Sequence, residues 1–170
     1  MIRTERRLPV EPVHRPGEPL PCGTLDLRVT AGDLRWVLLG FAAVLAIALP
    51  IGYGSGYLLP PGARAAEAAA ALLSVKGFVD IAKIVLFEEI LFRALLFGAL
   101  YNRLGLKAAV LISSVIFGAA HLIQFPLVMA VMATWAGVVF SLVYYTTRRL
   151  STPVLVHALV VAVQFFILPQ

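Results

Sequence analysis

The stretch VLFEEILFR, residues 85–93, decides the fold of this chain. It places two adjacent carboxylates and one guanidinium inside a run, residues 79–101, that otherwise has the composition and length of a membrane-spanning helix. A charged side chain at the centre of a bilayer costs several kcal/mol, roughly 2.5–3.5 on insertion scales. Such a cluster persists where it faces a partner or a wet cavity, so we predict that the functional site lies here.

The composition indicates that the bilayer is the solvent for most of the chain. Of 170 residues, 61% are hydrophobic and 14% are charged, and the mean hydropathy is +0.93. A soluble domain of this length cannot cover that much apolar surface. The net charge of +5 comes from dispersed basic residues without a basic stripe, which argues against a nucleic-acid partner. The single cysteine, Cys22, excludes an intrachain disulfide and a cysteine-based zinc motif.

The apolar segments, and the proline, glycine and charged residues that separate them, predict an all-α, multipass transmembrane helix bundle with about five spans. Within it we expect four regions: a disordered cytoplasmic tail at 1–33, a first transmembrane anchor at 34–59, a linker or interfacial helix at 60–76, and a core at 77–168. The core contains the other four spans, at about 77–104, 106–125, 126–148 and 154–168.

The basic residues between these spans predict the topology. With five spans, Arg103, Lys107, Arg148 and Arg149 fall on the same side as the arginine-rich tail, and only Arg64 and Lys76 fall opposite. Cytoplasmic loops carry the excess of lysine and arginine. We therefore predict an integral membrane protein with a cytoplasmic N-terminus and an external C-terminus.

Polar side chains on three neighbouring spans predict activation of a water molecule. Glu89 and Arg93 are four residues apart on one helix face, and His121 and His157 lie in two further spans. A carboxylate takes a proton from water, one histidine orients that water, and a second stabilises the oxyanion of an attacked carbonyl. Because Glu88 and Glu89 are adjacent, they disfavour being ionised together, and the sequence does not assign which is the base.

The depths of these groups conflict if every span is straight. His121 lies near the outer end of the third span and His157 near the inner end of the fifth. At 1.5 Å rise per residue, straight spans would separate the two histidines by on the order of 10 Å in depth. The site therefore requires tilted helices or a third span that starts deeper.

The ordered segments Glu88-Glu89-x-x-x-Arg93, Phe117-x-x-x-His121 and His157 resemble the motifs of the CPBP family, the type II CAAX prenyl proteases and related bacterial membrane proteases. The resemblance covers roughly residues 78–168. It implies a glutamate-type intramembrane endopeptidase in which Glu88 is the general base and His121 its partner on the water. It also implies that His157 stabilises the oxyanion while Glu89 and Arg93 support the site.

The same resemblance also leads to expectations about cofactors and substrates, and it shows one position where this sequence differs from the family. It implies no cofactor, although two glutamates and two histidines allow zinc as a less favoured alternative. The expected partners are the bilayer and a membrane-associated peptide or protein substrate. The family's asparagine, four residues after the last histidine, is Val161 here. We hypothesise that Gln164, on roughly the same face, supplies the missing amide.

Three other interpretations compete with an enzyme. The cluster around Glu88 could be a structural ion pair, or the chain could be a catalytically divergent relative such as an immunity factor or scaffold, which Val161 favours. A transporter or proton relay would need a continuous polar path. The first and fourth spans offer almost no ionisable groups for such a path.

Overall fold

The computed structural model describes residues 19–20, 25–58, 69–70 and 72–167, with side chains to residue 164. Its elements are six helical segments: α1 (Ala31–Gly54), α2 (Val75–Glu89), a π-helix (Ile90–Phe97), α3 (Gly98–His121), α4 (Leu127–Thr147) and α5 (Ser151–Ile167). No strand occurs in the described ranges, so the all-α prediction is confirmed for them. Most of the predicted tail and linker, at 1–18, 21–24 and 59–68, lies outside the described residues.

The first helix begins at Ala31, slightly before the predicted anchor, because Thr30 and Asp33 cap it. The Asp33 carboxylate accepts the Thr30 backbone N–H at 2.7 Å and satisfies an otherwise free donor. Arg149, in the turn between α4 and α5, donates to the same carboxylate at 3.0 Å and to the Thr30 hydroxyl at 2.8 Å. These contacts attach the start of α1 to the rest of the bundle.

Part of the predicted tail packs against the bundle. Leu20 is 1% exposed, and the Asn102 side-chain amide both accepts its N–H and donates to its carbonyl at 3.0 Å. The Asp26 carbonyl accepts the Leu150 N–H at 2.9 Å. A hydrogen bond from the Arg28 guanidinium lowers the pKa of the Asp26 carboxyl to about 2. Residues 19–20 and 25–30 therefore lie on the same end of the bundle as the α4–α5 turn.

The helical chain from Val75 to His121 breaks at Gly105. Its φ of 76° and ψ of 178° leave the helical region, and a positive φ favours glycine. The break falls where the sequence predicted the boundary between the second and third spans. The chain therefore turns there without a separate loop.

The fourth helix lies at the centre and contacts α1, α3, the π-helix and α5. Small residues bring α3 close to it: a Cβ at Gly118 would overlap the Thr134 side chain, and one at Gly137 would lie 3.0 Å from the Ser114 Cα. This packing encloses a core that includes Phe92, Phe117 and Phe140. The aromatic core adjoins the polar residues predicted to form the site.

Two helices in the described ranges, α1 and α4, are long and apolar enough to cross a membrane. The last helix is apolar but shorter. The α2 and α3 segments carry several charged residues, which reduces their apolar character. The count of five spans therefore stays a prediction.

Candidate active site

A π-helix begins directly after the glutamate pair. Glu88 and Glu89 end α2, and the following eight residues, Ile90–Phe97, are π-helical and contain Arg93. A π-helix is a rare, wider turn that usually appears as a single bulge and frequently marks a functional site. No local sequence signal predicted it, and it changes which side chains share a face near the site.

Glu89 is the buried anchor of the site. Its side chain is fully buried, and its Oε1 lies 2.8 Å from Nδ1 of His157. Its Oε2 lies 3.3 Å from Nε of Arg93, a residue whose side chain is 1% exposed. The carboxylate therefore joins α2 to α5 and to the π-helix, and it exposes no surface.

Arg93 lies in an aromatic box formed by Phe92, Phe117 and Phe140. Its Cζ is 4.3 Å from the ring centroid of Phe117, 5.0 Å from that of Phe140 and 5.9 Å from that of Phe92. Among the described residues, its Nη1 and Nη2 have no hydrogen-bond partner. The charge is stabilised instead by Glu89 and by the faces of the rings, which attract cations.

His157 lies between the two glutamates. A carboxylate oxygen accepts, so Nδ1 of His157 carries the proton and donates to Glu89. Its Nε2 points the other way and lies 3.8 Å from Oε2 of Glu88. The ring stacks on Phe140 with centroids 4.8 Å apart, and Phe117 packs against it edge-on at 5.9 Å. The ring orientation is thus fixed from several directions.

Glu88 is the accessible member of the pair. Its side chain is 25% exposed, against 0% for Glu89, and it lines a cavity of about 200 Å³. This difference distinguishes the two carboxylates, which the sequence left undistinguished. Glu88 is therefore the carboxylate that lines the cavity.

His121 lines the same cavity, and one of its ring nitrogens forms a hydrogen bond with the backbone. Its Nδ1 lies 2.9 Å from the Phe117 backbone carbonyl, which can only accept, so Nδ1 donates the proton. In the neutral ring, Nε2 is then the free acceptor. The Phe117 ring contacts both histidines, with a centroid distance of 4.8 Å to His121. Both histidine rings therefore pack against the Phe117 ring.

The cavity collects residues from every predicted motif. Glu88, Phe117, His121, His157 and Gln164 all line it, whereas Glu89 and Arg93 lie behind its wall. Val161, at the position of the family's asparagine, lines the cavity too. Apolar side chains of α1 and α4 form much of the remaining wall, including Val44, Leu45, Met129 and Met132.

Phe140 is the contact residue that the sequence analysis missed. It stacks on His157 and covers Arg93, yet it lies in α4, which carries no charged residue or histidine. Phe92 was visible beside Arg93 in the motif, but its role as a wall of the aromatic box depends on the π-helical turn. Neither contact follows from helix periodicity.

The described residues contain no group of three or more histidine, cysteine, aspartate or glutamate side chains arranged to hold a metal ion. The carboxylate oxygens of Glu89 already contact Arg93 and His157. The ionisable side chains that line the cavity are Glu88, His121 and His157.

Comparison with known proteins identifies relatives for most of this chain. Residues 70–163 match the family model of the Rce1-like type II CAAX prenyl endopeptidases. The chain is 35% identical over 134 residues to a Bacillus subtilis protein named membrane peptidase YdiL. It is 33% identical over 138 residues to a Staphylococcus aureus protein named membrane-embedded CAAX protease MroQ. No solved structure matches at a significant level.

Each alignment covers 74% of this chain and about half of the relative, 52% and 54% respectively. The family match contains Glu88, Glu89, Arg93, His121 and His157. Together with the apolar helices, these relatives identify a membrane protein. The chain therefore belongs to the Rce1-like family of type II CAAX prenyl endopeptidases, within the CPBP family that its motifs predicted.

Proposed function

We propose that this protein is an intramembrane endopeptidase that hydrolyses a peptide bond of a membrane-associated substrate with water activated by glutamate and histidine. One observation carries the proposal: Glu88, His121 and His157 face one cavity, while the ion pair of Glu89 and Arg93 is sealed behind it. Buried carboxylates and imidazoles that converge on a cavity are the usual components of general acid–base catalysis.

In this mechanism Glu88 is the general base. It takes one proton from a water held by Nε2 of His121, and the resulting hydroxide attacks the scissile carbonyl carbon. The C–N bond then breaks, and Glu88 returns the proton to the leaving amine nitrogen. Glu88 is suited to this role because its carboxylate reaches the cavity.

In its protonated form, His157 stabilises the oxyanion. Its Nδ1 donates to Glu89, which leaves an Nε2–H directed to the side where the carbonyl oxygen develops its charge. Glu89 stabilises the imidazolium, and Arg93 prevents Glu89 from being an isolated buried charge. Glu89 and Arg93 are thus positioning residues, and neither touches the reacting atoms. The proposed chemistry uses no metal or other cofactor.

The substrate is a protein or peptide that reaches the cavity from the membrane. Apolar residues of α1 and α4 form much of the wall, and such a surface favours an apolar segment. The relative MroQ is named a CAAX protease, and CAAX-type or related processing is the proposed reaction class here. The proposed topology has about five spans, with the N-terminus in the cytoplasm.

A comparison of membrane proteomes tests this function. Cells that carry the wild-type protein accumulate new protein termini that disappear in the Glu88→Ala and His121→Ala variants, because each variant lacks one side chain that activates the water. Quantitative terminus profiling measures these products, and immunoblotting confirms equal amounts of each variant. Identical terminus profiles in all three strains would exclude the proposed reaction.

Gln164 is proposed to assist the oxyanion. It lines the cavity near Val161, which has no amide to donate. Gln164→Ala is expected to lower the cleavage rate by about 10²–10³-fold, the usual effect of losing one such donor. Leu159→Ala, on a half-exposed position of the same helix outside the cavity, provides the matched control. Full activity of Gln164→Ala would rule out this role.

Val161 supports a second candidate function, a non-enzymatic membrane protein of the same fold. An apolar side chain occupies the cavity wall where the family has an asparagine. Under this alternative, a Glu88→Ala variant complements a deletion strain as well as the wild type does. Under the proposed function it does not.

A further inference from the structure

A second cavity lies directly beside the catalytic one. Its volume is about 290 Å³, and it runs along the first half of α2 against α5. Ile84 and Val161 line both cavities, so these two side chains stand between them. Among the described residues, its other lining side chains and backbone come from Ser74, Lys76, Gly77, Asp80, Ile81 and Val85.

The spacing of the two cavities matches an extended peptide. Ile84 precedes Glu88 by four residues and Val161 follows His157 by four, so the partition lies about 6 Å along each helix from the reacting groups. In an extended peptide, side chains on the same face are about 6.6 Å apart. A substrate whose scissile carbonyl lies between Glu88 and His157 therefore presents a nearby side chain at the second cavity.

The walls of this cavity define the chemistry that it accepts. Ile81, Val85 and Val161 give it an apolar wall, and Val85 is 1% exposed. At its outer edge, Lys76 and Asp80 form an exposed ion pair with an N–O distance of 2.6 Å. An apolar wall beside a charged rim suits an aliphatic or aromatic side chain whose backbone continues toward water.

We infer that this second cavity is a specificity subsite that binds a large apolar side chain of the substrate, within two residues of the scissile bond. The inference rests on the proposed function, since it takes Glu88 and His157 as the reacting centre. Ile81 and Val85 are its selective wall, because they line this cavity and not the catalytic one. Neither residue contributes to activation of the water.

Substitutions at Ile81 test the subsite. The substrates are synthetic membrane-inserted peptides in liposomes. Mass spectrometry locates the cleavage site, and each position that flanks it is varied between alanine, leucine and phenylalanine. Ile81→Phe narrows the cavity and lowers the ratio of kcat/KM for phenylalanine against alanine by about tenfold or more at one flanking position. Ile81→Ala widens the cavity and raises the ratio of kcat/KM for phenylalanine against alanine.

The same substitutions at Val79 provide the matched control. Val79 lies two residues earlier on α2, about 200° around the helix, and lines neither cavity. Val79→Phe and Val79→Ala leave the ratio unchanged. Size-exclusion chromatography of each purified variant confirms that it is folded. Val85→Ala, which widens the same cavity as Ile81→Ala does, is the second variant if Ile81→Phe aggregates.

The outcomes separate this inference from the function on which it rests. If the wild type cuts the peptides but substitutions at Ile81 and Val85 change the kcat/KM ratio at no flanking position, the inferred subsite is contradicted. The proposed protease function is then unaffected. If the wild type cuts none of them in a Glu88-dependent manner, the proposed function fails and the subsite fails with it.

Discussion

Glu88→Gln is expected to lower kcat for peptide cleavage by about 10²–10⁴-fold, the range for the loss of a general base. Glutamine keeps the size and polarity of the side chain but cannot take a proton from water. Because Glu88 is partly exposed to the cavity and lies 3.8 Å from His157, the amide fits without loss of packing. The binding of the substrate stays close to that of the wild type. Cleavage of a fluorogenic peptide by purified protein in liposomes measures the effect.

Asp26→Asn is the matched control for this change. Asp26 is also an acidic residue, but it lies before α1 and pairs with Arg28, outside both cavities. We expect its cleavage rate to stay within about twofold of the wild type, as is usual for surface substitutions away from the site. A Glu88→Gln protein that cleaved at the wild-type rate would remove Glu88 from the mechanism.

The second large effect is expected for the buried pair of Glu89 and Arg93. Removing one partner of a buried ion pair leaves an uncompensated charge and costs about 3–5 kcal/mol. Both side chains are almost fully buried, so neither charge can reach water. Arg93→Met and Glu89→Gln are therefore each expected to destabilise the protein strongly. Thermal unfolding in detergent micelles measures this as a lowered Tm.

The double variant Glu89→Gln/Arg93→Met distinguishes charge pairing from simple loss of packing. It removes both charges together, and the glutamine oxygen still accepts from Nδ1 of His157, so its Tm is expected to exceed that of either single variant. Lys76→Met, on the exposed pair of α2, serves as the control and changes the Tm little. A double variant less stable than both single variants would contradict this role for the pair.

The sequence predicted the helical class and the participants of the site, because both have strong local signals. Apolar runs of spanning length specify helices, and an ionisable residue inside such a run is conspicuous. The motif residues Glu88, His121 and His157 indeed line one cavity, and the family that those motifs indicated is confirmed. Their catalytic roles stay predictions.

Tertiary geometry carried the information that the sequence lacked. The π-helix after Glu89 has no counterpart in the periodicity of the sequence, which predicted one regular helix there. The distinction between a buried Glu89 and an accessible Glu88 likewise comes from contacts with α5. Phe140 escaped notice because an aromatic residue in an apolar helix resembles any other core residue.

The offset in depth between His121 and His157 stays a prediction. An estimate from rise per residue separated His121 and His157 by on the order of 10 Å in depth. In the fold, both rings contact the Phe117 ring, at centroid distances of 4.8 and 5.9 Å. These two distances allow a separation between the histidine rings as large as the expected offset.

The central claim is that Glu88 and His121 act on one and the same water molecule. The most direct test is a double-mutant cycle on kcat/KM for a single peptide, with Glu88→Gln, His121→Ala and the combined variant. Because groups that act as a unit lose their effect only once, the combined variant should cleave within about threefold of the slower single variant. Losses that multiply in the combined variant, or a wild-type rate in either single variant, would contradict the account.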